Sequence, residues 1–355
     1  MKKIQRCSLR LRLGIVSLVL CFATLGSATR SVGSTADIGG ILTHFGFGPD
    51  DVRALKAGKV ISNALHEGSD KELAVVIAMW VDATPNEVVE AVLTGKTLEL
   101  NRDVLLSQEL VADRSGDGLA KLALSEAEKK EASQLLRVSA GSTYNLSKSE
   151  IDQLKATARR LTSSKGAGRD DSRHAANQTY QSILANRLQA YQQGGVAAIA
   201  PYDRGGGKRA LPNEELSGAV AAETLLAEKN PEFHKAFADY PKNSAAHIDH
   251  RFHGIKQRVE GRPCIILAHR LFEQNADHAL IAERQFYVGH TYNSLQIVAG
   301  CFPAEKGTVV FYTNRTSTDQ VAGFGSSLKH KIGRDRMRDE VVAHFQTVRR
   351  AIEEQ

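Results

Sequence analysis

The chain has 355 residues, enough for one large or two moderate hydrophobic cores. Its formal net charge is +6, but residues 1–28 contain five Lys or Arg residues and no Asp or Glu, so the remainder carries only +1. We therefore expect no nucleic-acid partner, because phosphate binding requires a clustered basic surface.

The first 28 residues have the pattern of a secretory signal peptide. Basic residues precede an apolar run over residues 13–26 that is too short to span a bilayer, and the small residues Gly26, Ser27 and Ala28 follow. We expect cleavage after Ala28 and an exported, soluble protein, either periplasmic or extracellular. Since no second hydrophobic run follows, no transmembrane segment is expected in the mature chain.

The segment after the signal peptide combines irregular, helical and strand patterns. Residues 29–48 are rich in glycine and small residues, and we expect an irregular mature N-terminus. Pro49 and two acids then start a short helix. The strand-like runs VISNALH and ELAVVIAMWVDA follow, and the second is apolar on both faces, so both faces must be covered. The sequence TPNE, which begins at Thr84, is a helix-capping pattern.

Helical patterns dominate residues 97–240. Two segments, SEAEKKEASQLLRV and SKSEIDQLKATARRL, begin with a serine followed by glutamate three residues later, the pattern of a capping box. The longest run, HAANQTYQSILANRLQAYQQ, carries apolar and aromatic side chains along one face. This pattern predicts a helical block between two strand-rich segments.

The last part of the chain, residues 241–355, is predicted to form five antiparallel strands and a terminal helix. The strand-like runs are rich in β-branched and aromatic residues and are separated by turn sequences; they are HIDHRFHGIKQRV, CIILAHRLF, ALIAERQFYVGHT, NSLQIVAGCF and TVVFYTNRT. A helical period then places one apolar face on the terminal helix, formed by Met337, Val341, Phe345, Val348 and Ile352.

Cys264 and Cys301 are the two cysteines that follow the signal peptide. An oxidising compartment would permit a disulfide between them. In a simple meander, however, Cys264 begins one strand and Cys301 ends the strand after next, and a bridge cannot join Cα atoms more than about 7 Å apart. We therefore favour two buried free thiols.

The segment VDATPNEVVEAVL resembles the second strand and following helix of the START-like (SRPBCC) helix-grip superfamily, and the final amphipathic run is similar to its C-terminal helix. The resemblance implies an α+β fold in which a bent antiparallel sheet grips a long C-terminal helix, here interrupted by an inserted α-helical domain. The corresponding divisions are a signal peptide (1–28), an irregular N-terminus (29–48), the first part of the helix-grip domain (49–96), the helical insertion (97–240) and the second part of the domain (241–355). The alternative is three separate units in succession.

A cavity between the sheet and the terminal helix would hold an apolar or amphipathic, lipid-like molecule. A few polar side chains within apolar strands would orient this hydrophobic small-molecule ligand. We name six as candidate ligand-binding residues: His250, Arg270, Arg284, Tyr287, Tyr292 and Arg315. The alternative is that these side chains point to solvent or lie at strand edges.

The first alternative function is an exported hydrolase or metal-dependent enzyme that uses residues 247–253. Strand alternation would place His247, Asp249 and His253 on one face, and such ligands suit zinc. Arg251 lies between them, and side chains two apart on a strand are spaced by roughly 6.5 Å, which is wide for one ion. Because no compact catalytic motif occurs, we assign no catalytic residue, metal or cofactor and favour a binding protein over an enzyme.

A second alternative is an envelope protein-interaction module in which the helical block contacts a partner. Tyrosine is enriched among the residues that dominate protein interfaces. Tyr180, Tyr191 and Tyr202 are the candidate anchors in this interpretation.

Overall fold

A computed structural model of the chain describes residues 37–93, 100–111, 115–163, 169–243, 245–275, 277–323 and 325–354. The predicted signal peptide and the first residues of the expected irregular segment lie outside the described residues. The helices in these ranges are α1 (Ile38–His44), α2 (Pro49–Lys56), α3 (Pro85–Leu93), α4 (Ser115–Lys121), α5 (Lys129–Leu135), α6 (Lys148–Ser163), α7 (Arg169–Gly194), α8 (Pro212–Ala221), α9 (Thr224–Lys229), α10 (Pro231–Ala238) and α11 (Ser326–Glu353).

The strands are β1 (Ile61–Ala64), β2 (Glu72–Val81), β3 (Val104–Glu109), β4 (Tyr202–Gly205), β5 (Lys208–Ala210), β6 (Asp249–Val259), β7 (Arg262–Gln274), β8 (Ala279–Val288), β9 (Ser294–Pro303) and β10 (Thr308–Ser317). Eight of them form one antiparallel sheet in the order β1-β2-β10-β9-β8-β7-β6-β3. Strands β4 and β5 form a separate hairpin.

The pairing of β2 with β10 joins the two strand-rich parts of the sequence. It extends from Val81 opposite Thr308 to Glu72 opposite Ser317. The described strands therefore do not separate into an N-terminal and a C-terminal domain. The predicted fold class, an α+β protein with a large antiparallel sheet, a long C-terminal helix and inserted helices, is confirmed.

Helix α11 packs on one face of the sheet, which we call the helix face. The predicted apolar stripe faces the sheet, with Met337 and Val341 each 2% exposed. Two polar contacts fix its ends: the His330 ring lies 2.7 Å from a Glu67 carboxylate oxygen, and Glu353 accepts a hydrogen bond of 3.1 Å from the Asp82 backbone N–H. Although α11 has 28 residues, neither it nor any other helix in the described ranges is apolar enough to cross a bilayer.

The other side of the sheet, which we call the opposite face, is covered by three groups of short and long helices. Helices α1 and α2 pack on β2 and β10, helices α8 to α10 pack on β8 and β9, and helices α4 to α7 pack on β7 and β8. The two apolar faces of β2 are thus both buried, Val75 and Ile77 on the helix face and Val76 and Ala78 on the opposite face.

Four elements differ from the sequence prediction: helix α1, and the strands β3, β4 and β5, which lie within the predicted helical insertion. Residues 38–44, within the segment expected to be irregular, form α1, because Asp37 accepts a hydrogen bond of 2.8 Å from the Gly40 N–H and the helix buries Ile41 and Leu42. Strand β3 lies within the predicted helical insertion and pairs with β6 at one edge of the sheet. This strand has six residues, and so short an apolar run does not show a clear period.

Cys264 and Cys301 are free, buried thiols, as predicted. Cys301 lies opposite Ala279 of β8, and Ala279 lies opposite Gln274, at the far end of β7 from Cys264. Burial raises the pKa of both thiols to about 12. At neutral pH they are protonated and serve as small apolar side chains.

Candidate functional site

The structure divides the six predicted ligand residues between the two faces of the sheet. Arg270 and Tyr292 lie with the residues of the helix face, whereas His250, Arg284, Tyr287 and Arg315 contact groups on the opposite face. Five of the six are buried, and His250 is half-buried. They do not converge on one site.

Four polar residues of the helix face, Arg270, Glu283, Gln285 and Tyr292, are joined by a chain of hydrogen bonds. Arg270 Nε donates to Glu283 Oε2 at 2.5 Å, and Gln285 Nε2 donates to Glu283 Oε1 at 2.9 Å. The Tyr292 hydroxyl donates to Gln285 Oε1 at 2.7 Å. These side chains satisfy one another, so their placement in apolar strands reflects a buried structural network.

A second buried polar group lies under α7 on the opposite face. The Tyr287 and Tyr180 hydroxyls are 2.9 Å apart, and the Arg187 guanidinium lies 4.5 Å from the centre of the Tyr287 ring. Tyr191 and Tyr202 are also buried, at 1% and 0% exposure. The three tyrosines considered as partner anchors, Tyr180, Tyr191 and Tyr202, are therefore not available at the surface.

His250 lies at the end of a hydrogen-bond chain that begins at Arg284. Arg284 Nη1 lies 2.9 Å from the Tyr191 hydroxyl, which lies 3.0 Å from His269 Nδ1, and His269 Nε2 lies 3.0 Å from His250 Nδ1. Arginine can only donate, so the Tyr191 oxygen accepts from Arg284, and the directions of the two bonds to His269 depend on which ring nitrogen of His269 carries the proton. Burial lowers the pKa of His269 well below its ordinary value, which keeps this ring neutral.

The residues of the alternative metal site, His247, Asp249 and His253, are separated by the fold. His247 lies in a turn before β6, and its ring is 53% exposed. Asp249 forms an ion pair with Arg251 at 2.6 Å, and His253 is fully buried on the helix face. Among the residues that the structure describes, no group of three or more His, Cys, Asp or Glu side chains is arranged to hold a metal ion.

An apolar cavity of about 290 Å³ lies on the opposite face, where α1 and α9 border each other over β8, β9 and β10. The absence of a side chain at Gly300 creates part of this space, since a Cβ there would lie 2.6 Å from the Phe302 ring. Its apolar walls come from both helices and the sheet, and include Ile41, Phe45, Leu226, Leu280, Val298 and Phe311.

Glu223 and Thr313 form the polar floor of this cavity. Glu223 lies between α8 and α9 and is 7% exposed. Its carboxylate is 3.2 Å from Arg315 Nε and 3.4 Å from the Thr313 hydroxyl. Burial raises the pKa of Glu223 above its ordinary value of 4.5, while the charge of Arg315 opposes this shift. The floor is therefore a buried carboxyl group, held by Arg315 and Thr313, beneath apolar walls.

The cavity was not predicted from the sequence. None of the six candidate ligand residues lines it, although Arg315 contacts its floor through Glu223. One sequence signal was present: Glu223 is the single acid in the stretch LSGAVAAETLLA, where an ionised side chain would be buried with the apolar residues around it.

Comparisons with protein-family models, with curated proteins and with solved structures gave no match. The geometry of the cavity and the sequence are thus the basis for proposing a function.

Proposed function

We propose that the protein is exported and binds an apolar or amphipathic small molecule, such as a lipid, in the cavity between α1, α9 and the sheet. One observation carries this proposal: an apolar cavity of about 290 Å³ with a buried polar floor. Small-molecule sites are typically concave and mostly apolar, with a few polar groups that orient the ligand.

This position differs from the one that the sequence suggested. The expected site was between the sheet and the terminal helix, but no residue of α11 lines the cavity. Met337 and Val341 of α11 instead pack directly into the apolar cluster on the helix face. The proposal keeps the predicted class of ligand and moves its site to the opposite face.

Export and superfamily membership are part of the proposal. The signal-peptide pattern of residues 1–28, which the structure does not describe, supports delivery to the periplasm or the extracellular space. A sheet that unites N-terminal and C-terminal strands and packs on a terminal helix is the arrangement that the START-like resemblance implies, and it supports that assignment.

The alternative functions have less support. A metal-dependent enzyme acting through residues 247–253 would need His247 and His253 together, but one is exposed in a turn and the other is buried on the helix face. An interaction module would need surface anchors other than the three buried tyrosines. No observation on the described surfaces favours either function over ligand binding.

The proposal is tested by titrating the purified protein with the apolar fluorophore N-phenylnaphthylamine. We expect saturable binding at one site per chain. Val298 lies in the cavity wall, so Val298→Phe fills the cavity and should weaken binding at least about tenfold, the scale of a lost apolar contact in a pocket. The matched control is Val111→Phe, because Val111 is 49% exposed and does not line the cavity.

Both variants are first compared with the parent chain by circular dichroism and thermal unfolding, so that loss of the fold is not read as loss of binding. Unsaturable fluorescence in the parent chain, or equal weakening by both variants, would contradict a ligand site in this cavity.

A further inference from the structure

Of the charged side chains that line the cavity, three are acidic and one is basic, and Thr313, Asn230 and His278 are its other polar side chains. Glu223 forms the floor, and Asp37 and Asp277 lie at the exposed rim. Lys229 also lines the rim, but its ammonium group is paired with Glu228 at 2.8 Å. A ligand that carries a negative charge would therefore meet like charges at both ends of the cavity.

Arg315 does not make the floor positive, because two carboxylates share it. Its Nη1 is 3.3 Å from Glu72 and its Nε is 3.2 Å from Glu223. A third contact, at 3.0 Å, is with the backbone carbonyl of His66. When both acids are ionised, this buried group has an excess negative charge, so the guanidinium is not free to bind an anionic head group.

Glu223 retains capacity to accept hydrogen bonds. Its contacts with Thr313 and Arg315 range from 3.2 to 3.5 Å, and the Gln296 side chain also lies near its carboxylate. Hydrogen bonds with an N–H or O–H donor usually fall between about 2.5 and 3.2 Å, so these contacts are long. A buried acceptor with weak partners lowers stability, and a donor placed in the cavity would satisfy it.

We infer that the cavity selects amphiphiles whose head group donates hydrogen bonds, a hydroxyl or an ammonium group, and discriminates against carboxylates. The head group lies against Glu223 and Thr313, and the apolar chain lies between α1, α9 and the sheet. This inference rests on the proposed function, since it concerns the same cavity and adds the chemistry of the ligand.

Three probes with the same ten-carbon chain show the effect of the head group on affinity: decanol, decylamine and decanoate. Each is titrated into the protein at neutral pH in competition with N-phenylnaphthylamine. We expect decanol and decylamine to bind at least about tenfold more tightly than decanoate, because placing like charges together in a site is strongly unfavourable.

Glu223→Gln tests the origin of this preference. The amide keeps the size of the side chain and one acceptor oxygen but removes the charge, so decanoate should gain about tenfold relative to decanol. Glu232→Gln is the matched control, since the Glu232 side chain is 80% exposed and does not line the cavity. This control should leave the ratio of the two affinities unchanged.

The outcomes separate the inference from the proposed function. If decanoate binds as tightly as decanol, or if Glu223→Gln leaves their ratio unchanged, the head-group preference is wrong while the cavity is still a ligand site. If none of the three probes displaces the fluorophore and the fluorophore itself does not bind saturably, both the inference and the proposed function fail.

Discussion

The two faces of the sheet are covered in different ways. One 28-residue helix packs on the helix face. There a chain of side-chain hydrogen bonds joins Arg270 to Tyr292 through Glu283 and Gln285. The opposite face is covered by several helices, and its apolar cavity lies where the seven-residue α1 borders the six-residue α9. One long apolar stripe can follow a sheet closely, whereas short helices leave space at their boundaries.

The largest effect is expected from breaking the buried ion pair of the helix face. Arg270 and Glu283 are 1% and 0% exposed, so Arg270→Met leaves an unpaired buried carboxylate and should lower the free energy of unfolding by about 3–5 kcal/mol. Urea denaturation measures this loss. The double variant Arg270→Met with Glu283→Leu should recover part of it. A loss below about 1 kcal/mol, the size expected of an exposed pair, would mean that the helix face is not tightly packed.

Mild acid should lower the free energy of unfolding through buried histidines on both faces of the sheet. Burial lowers the pKa of His253 and His269 well below the ordinary value of 6.5 and that of His290 to about 4. Because the folded pKa values lie below the unfolded ones, the unfolded chain binds more protons, and stability present above about pH 6.5 is lost as pH falls towards 4. Each histidine contributes a slope of about 1.4 kcal/mol per pH unit. Stability measured by urea denaturation that is constant from neutral pH to pH 4 would contradict this.

Replacing one buried histidine on each face should have unequal effects. His269 on the opposite face contacts Tyr191 and His250, so His269→Leu leaves polar partners unsatisfied and should cost about 1–3 kcal/mol. The ring nitrogens of His253 on the helix face have no hydrogen-bond partner among the described residues, so His253→Leu should be neutral or stabilising. Thermal unfolding of both variants at neutral pH makes the comparison, and equal losses would show that the partners of His269 contribute nothing.

The smallest effect concerns the cavity floor. The pKa of Glu223 is higher in the folded chain than its unfolded value near 4.5. Its contribution to the free energy of unfolding is therefore complete below about pH 4.5 and is lost as the pH rises through the folded pKa. Glu223→Gln does not titrate and should therefore gain stability relative to the parent chain as pH rises, by an amount on the order of 1 kcal/mol. Denaturant unfolding from pH 4 to pH 8 measures this difference. A difference that does not change with pH would mean that the floor is well hydrated.

The fold could be predicted because its signals are long and local. The runs of β6 to β10 contain enough β-branched and aromatic residues to identify strands, and the two apolar faces of β2 required a layer on each side. At Thr84 the expected cap is present, since its backbone N–H donates to Glu87 at 2.7 Å and its hydroxyl accepts from the Glu87 N–H at 3.3 Å.

The site could not be predicted in the same way. Polar residues such as Arg270 and Arg284 suggested ligand contacts, but in the fold they bond to other protein groups, and sequence does not distinguish the two roles. The cavity depends on residue 41 of α1 and residue 45, which follows it, lying near residue 226 of α9, and no local period in the sequence encodes this proximity of distant segments. Glu223, the single acid in its apolar stretch, is the one residue whose sequence context indicates the cavity.

The position of β2 has a consequence for how the chain reaches its native state. This strand ends at residue 81, and its neighbour β10 begins at residue 308. Closing so long a loop is slow, because its entropy is lost before the pairing is gained. During synthesis from the amino terminus, β2 would emerge with two apolar faces and an unpaired edge, a combination that promotes aggregation. Residues 72–81 are therefore expected to be the segment of the nascent polypeptide most prone to aggregate until the final strands have been translated.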